Sequence, residues 1–129
     1  MTEDRARLDA LPTAYPRIFS TGPLPWGFEH GDGWSELIEA LCARINKILE
    51  SDPGASMAMR QAKEKFGTLR FYYRLYDASD ETVRRVRHAV ELAEQASGRI
   101  CERCGRSAML QTDAGWWSTL CPNCRVDTT

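Results

Sequence analysis

A chain of 129 residues is the size of one domain and too short for two full hydrophobic cores. Apolar residues make up 43% and charged residues 27%, with 17 Lys and Arg against 18 Asp and Glu. That is the balance of an ordinary globular protein, and the overall charge points to no partner. No apolar run approaches the roughly 18 to 20 residues of a membrane-spanning helix, and Met1-Thr2-Glu3-Asp4-Arg5 lacks the basic-then-apolar pattern of a secretory signal. A cytoplasmic location is expected, and a membrane partner is not.

The opening residues through about Ala10 are highly charged, offer only Leu8 as a sizeable apolar side chain and keep no period, which predicts a frayed end. From Leu11 to Gly33, Pro12, Pro16, Gly22, Pro23, Pro25, Gly27 and Gly31 predict an irregular wrap held down by Tyr15, Ile18, Phe19, Trp26 and Phe28. Asp32 is placed to N-cap the following helix, with Glu36 where the helix dipole favours an anion. Trp34, Leu37, Ile38, Leu41, Ile45, Ile48 and Leu49 recur at three- and four-residue steps, the mark of an amphipathic helix ending before Ser51-Asp52-Pro53-Gly54.

Two strands follow, with Phe66-Gly67-Thr68 at the turn. Leu69, Phe71, Tyr73 and Leu75 alternate with Arg70, Tyr72, Arg74 and Tyr76, so the first set is expected to face the core and the second solvent or a partner. A second helix is predicted from about Asp80 to Ser97, capped by Ser79 or Asp77 and closed by a left-handed Gly98. Its apolar line is narrow, Val83, Val86, Val90 and Ala93, and charged residues including Arg84, Arg85, Arg87 and His88 occupy the other faces.

Charge is unevenly divided. Residues 1–50 carry five Lys or Arg against eight Asp or Glu, whereas 56–76 carry Arg60, Lys63, Lys65, Arg70 and Arg74 against Glu64 alone.

Four of the five cysteines form Cys101-Glu-Arg-Cys104 and Cys121-Pro-Asn-Cys124, sixteen residues apart, the spacing of a structural zinc ribbon. Two intervening residues let a tight turn aim both thiolates at one ion, and Gly105 relieves the first turn. Residues 99–129 hold few large apolar side chains, so metal replaces a core there. Redox chemistry is disfavoured because neither pair opens a helix in a strand–helix–strand unit. Disulfides are disfavoured by the missing secretion signal. An iron–sulfur cluster also accepts four thiolates, though the short spacing favours zinc. Cys42, inside the first helix, is expected to be a small buried hydrophobe.

Four thiolates leave a zinc ion no open position for substrate. His30, in a Gly-rich loop, and His88, on a charged helix, are the two histidines, and both are expected at the surface without catalytic roles. Cytidine-type deaminases need His-x-Glu and Pro-Cys-x-x-Cys, but Gly31-Asp32 follows His30 and Leu120 precedes Cys121. Histidine-metal nucleases need histidines after a strand and on the next helix, where this chain has His88 alone. No enzyme is expected.

For binding, Lys63, Arg70, Tyr72, Arg74 and Tyr76 interleave cations with rings, which suits a protein interface or stacked bases and phosphates. Burial of this face, with Glu29, Asp32 or Glu36 pairing its arginines, is the structural alternative. A ribbon with four Arg and three acids, carrying zinc on four thiolates, has a charge near minus one, which disfavours nucleic acid.

At Lys63-Glu-Lys-Phe-Gly-Thr-Leu-Arg-Phe-Tyr72, Gly31-Asp-Gly-Trp34, Cys101-Glu-Arg-Cys104-Gly105, Gly115-Trp116 and Thr119-Leu-Cys-Pro-Asn-Cys124, the sequence resembles a group of short, uncharacterised bacterial and bacteriophage proteins. The resemblance implies a cytoplasmic zinc-binding protein of phage or prophage type, and analogy with small proteins of that origin adds the expectation that it binds and inhibits or modulates a host protein. The expectation is α+β: a body over 1–98, with two helices and a β-hairpin, carrying a zinc ribbon over 99–129.

Overall fold

The computed structural model describes residues 2–113 and 115–126. In chain order its elements are α1 (Glu3–Asp9), α2 (Leu11–Ala14), β1 (Phe28–Glu29), a 3-10 turn (Asp32–Trp34), α3 (Ser35–Glu50), β2 (Ser56–Lys65), β3 (Thr68–Tyr76), α4 (Asp80–Ser97), β4 (Met109–Asp113), β5 (Trp116–Leu120) and α5 (Pro122–Val126). Helices and strands mix as the α+β reading expects. No helix among the described residues is long and apolar enough to cross a membrane.

The alternation in β3 does what period two requires: Leu69 and Phe71 are buried, while Tyr72, Arg74 and Tyr76 are exposed. β2 and β3 pair antiparallel through Phe66 and Gly67, at φ 53° and 85°. Two left-handed residues match the twist of the flanking strands. A register shift between Met59 and Gln61 takes Arg60 out of the ladder.

Both sheet edges are covered in part. Along β2, β1 pairs in parallel with Phe28 opposite Ala62. Farther along, Met57 and Met59 N–H donate to the carbonyls of Arg17 and Ile18, both at 3.0 Å. The free edge of β3 is closed by α4, where Ser97 Oγ accepts from Leu69 N–H at 2.8 Å and the Glu94 carboxylate from Phe71 N–H at 2.9 Å. These four edge amides are thereby denied to other chains. The core joins Ile38, Leu41, Cys42, Ile45 and Leu49 of α3 to Val86, Ala89 and Val90 of α4 and to the inner sheet face.

Several expectations are corrected. The amino-terminal residues form α1 instead of fraying: Thr2 Oγ1 accepts from Arg5 N–H at 3.0 Å, and Leu8 is fully buried. Arg5 donates to the carbonyls of Phe28 and His30 at 2.8 and 2.5 Å and pairs with Asp32 at 2.8 Å. Engaged with Arg5 and Thr2, Asp32 does not cap α3, which Trp34 precedes with no side-chain cap. Trp26 does not anchor the wrap, being 78% exposed. Ser79 caps α4 as expected, but Gly98 is right-handed at φ −71°. His30 is buried rather than superficial, its ring between Phe28 and Trp34 at centroid distances of 5.9 and 5.6 Å.

Candidate metal centre

Each Cys-x-x-Cys pair sits on a turn that its local sequence dictates. At the first, Gly105 N–H donates to Cys101 O at 2.9 Å, Cys101 N–H donates to Arg106 O at 2.7 Å, and Gly105 takes the left-handed φ of 81°. At the second, β5 ends and Cys121 precedes α5, which Pro122 opens and which holds Cys124. The four sulfur atoms all lie within 4.8 Å of one another, and Cys104 and Cys121 Sγ are 3.5 Å apart. A tetrahedral ion at about 2.3 Å from each sulfur sets its ligands about 3.8 Å apart, so the cluster is the right size.

Its electrostatics fit a cation. Burial pushes the Cys101 thiol up, but backbone N–H groups of Cys121, Cys104 and Arg103 outweigh burial and bring it down to about 6. Burial, together with its cysteine neighbours, pushes Cys124 up to about 12. Sulfurs this close cannot all ionise alone, and a divalent ion removes that conflict. The buried apolar side chains here are Cys101, Ala108, Cys121 and Cys124, with Leu120 against them. Among the described residues no large apolar group belongs to this buried cluster, so the cysteines themselves have to fasten the ribbon.

The first knuckle is wedged against the start of α3. Gly33 N–H donates to Glu102 O at 2.7 Å, Gly31 N–H to the Glu102 carboxylate at 2.8 Å, and Trp34 Nε1–H to Ile100 O at 2.9 Å. Burial and the nearby Glu64 charge raise the Glu102 pKa against the Gly31 hydrogen bond. On the other side, Thr119 Oγ1 donates to Gly67 O at 2.7 Å and Leu110 N–H to Gly98 O at 3.1 Å.

Lys63, Arg70, Tyr72, Arg74 and Tyr76 share the outer sheet face, with Lys63 opposite Arg70 in register. Tyr72, Arg74 and Tyr76 are exposed and Lys63 and Arg70 half-buried. Lys63 Nζ stands 5.8 Å over the Tyr72 ring, and Arg60 donates to Tyr76 Oη at 3.3 Å. Among the described residues no ion pair involves Arg60, Lys63, Lys65, Arg70 or Arg74. Of the carboxylates expected as their covers, Glu29 accepts from Gln61 and Asp32 pairs with Arg5, and among the described residues Glu36 forms no ion pair with these cations.

Sequence reasoning missed an apolar depression beside this face. Phe66, Thr68, Arg70, Leu110 and Trp117 line it, joining the β2–β3 turn to the ribbon hairpin. Phe66 and Trp117 are exposed, as is Trp116, at 76%. The adjacent tryptophans in a segment too small to cover both were the available signal. Comparisons of the chain with protein-family models, with curated proteins and with solved structures find no match.

Proposed function

We propose that the protein is a non-catalytic, zinc-stabilised module that binds another protein. Cys101, Cys104, Cys121 and Cys124 would hold the ion, which when bound supplies a closed four-sulfur crosslink. The observation carrying the reading is the depression of Phe66, Leu110 and Trp117 beside Arg70 and Tyr72. Exposed aromatic rings and arginine are the side chains whose burial dominates protein interfaces. The resemblance to short bacterial and bacteriophage proteins supports a cytoplasmic host protein as the partner, modulated or inhibited by this chain.

Affinity purification from bacterial lysate tests the reading. The intact chain is expected to recover one protein reproducibly, and Trp117→Ala, with its melting temperature kept, is expected to lose it. Recovery that ignores Trp117→Ala, Arg70→Ala and Tyr72→Ala contradicts the assignment of the surface.

The uncovered basic face supports a second reading, a nucleic-acid-binding regulator, because cations over rings suit phosphates and stacked bases. That reading expects a gel shift that weakens steeply with salt and disappears in Arg70→Ala with Arg74→Ala. No shift at low salt eliminates it.

A further inference from the structure

A second charged feature lies between α3 and α4. A cleft of about 370 Å³ is lined by Arg44, Lys47 and Ile48 from α3 and by Arg84, Arg85 and His88 from α4. The spacing brings them together: 44, 47 and 48 lie at i, i+3 and i+4 on one helix face, as 84 and 88 do on the other. Four permanent cations and an imidazole thus converge on one depression with no carboxylate in its lining, in a chain whose acids outnumber its Lys and Arg. Among the described residues none of the five is in an ion pair. Arg85 makes one polar contact out of the cleft, donating to Ser51 Oγ at 3.3 Å.

The helix dipole does not account for this placement. Cations stabilise a helix in its last turn, and Lys47 has that position in α3. The last turn of α4 has no basic residue, while Arg84, Arg85, Arg87 and His88 are gathered in its first half. Nor do they pair across the groove, because the facing positions of α3 are cations too.

We infer that the α3–α4 cleft binds a small ligand through a diphosphate group. Guanidinium forks match phosphate oxygens bidentately, and four cations balance the three to four negative charges of a diphosphate. The cleft is a local depression fed from two helices rather than a stripe. Its lining also lacks the Phe, Tyr or Trp rings on which bases stack, so a compact phosphate compound is favoured over a nucleic-acid strand. The site is independent of the Phe66–Trp117 depression, which other elements build.

Isothermal titration of the full chain with inorganic pyrophosphate at low salt is the test. Saturable binding is expected, weakened at least tenfold by Arg84→Ala with Arg85→Ala and unchanged by Arg99→Ala, an exposed residue outside the cleft, with thermal melts showing both variants folded. Arg44→Gln with Lys47→Gln supplies the same readout from the other helix. Absence of heat, heat that persists in both cleft variants, or equal affinity for sulfate at matched ionic strength overturns the assignment. So does an oligonucleotide whose binding is lost in the cleft variants while pyrophosphate gives none.

Discussion

Gly33 shows how closely the first knuckle meets the body. A Cβ added there would lie 2.1 Å from Cys101 O and 2.6 Å from Gly105 N. Gly33→Ala therefore forces the knuckle away and breaks the Gly33–Glu102 backbone bond. Overpacking and a lost hydrogen bond together are expected to cost about 2 to 4 kcal/mol in urea unfolding. Gly54→Ala is the control, having open space around it, and is expected to stay within about 0.5 kcal/mol. Equal effects at the two positions would contradict the close contact.

His30 carries a pH dependence with a definite sign. Burial holds its pKa below the ordinary 6.5, opposed by its hydrogen bond to Gly31 O; the Arg5 charge lowers it further. The unfolded chain takes up this proton first, so the unfolded state gains as pH falls below about 6.5 towards the lower folded value. Cysteine protonation adds a slope of its own, so the measurement is a comparison. Between pH 7.5 and 5.5 the parent is expected to lose more melting temperature than His30→Gln, and equal losses would contradict a neutral buried imidazole.

Among the elements, α4 works as an edge cover as well as a core helix. Ser97 Oγ accepts from Leu69 N–H and donates to Glu94 O, and Ser97 is wholly buried. Ser97→Ala leaves the Leu69 amide without its partner at a cost of about 1 to 3 kcal/mol, measured by denaturant unfolding. A change below about 0.5 kcal/mol would mean that the edge is closed by something else. α3, the hairpin, α4 and the paired cysteines were legible because their periods or spacings are local: seven apolar residues on a helical stripe, four on alternate positions, two thiols around a turn. α1 was not, since its single Leu8 makes no stripe and its position depends on Arg5 reaching Asp32 and the carbonyls of Phe28 and His30. Thr2 ahead of Glu3 and Asp4 was the local cue. β1 and the Arg17–Ser20 pairing were illegible for a similar reason: they are brief additions to an edge whose register is set by β2. At the candidate site the cysteines could be read directly. The Phe66–Trp117 depression could not, because it exists only where the ribbon hairpin meets the sheet turn.

At the scale of the molecule, the ribbon is tied to the body on two sides, at Gly31–Trp34 and at Gly67–Gly98. Loosening the cysteine cluster should therefore reach beyond residues 99–126. Trp34 is fully buried and donates to Ile100 O, so stripping the metal with a strong chelator is expected to shift tryptophan emission to the red and lower the melting temperature of the whole chain. An unchanged melt of the body would show that the two parts fold separately.

The claim under all of this is that four thiolates close around one zinc ion. Native mass spectrometry with elemental analysis of freshly purified protein tests it most directly. One zinc per intact chain is expected, with none in Cys104→Ser combined with Cys121→Ser. Iron in place of zinc, cysteines linked as disulfides, or full zinc in that double variant would contradict the account.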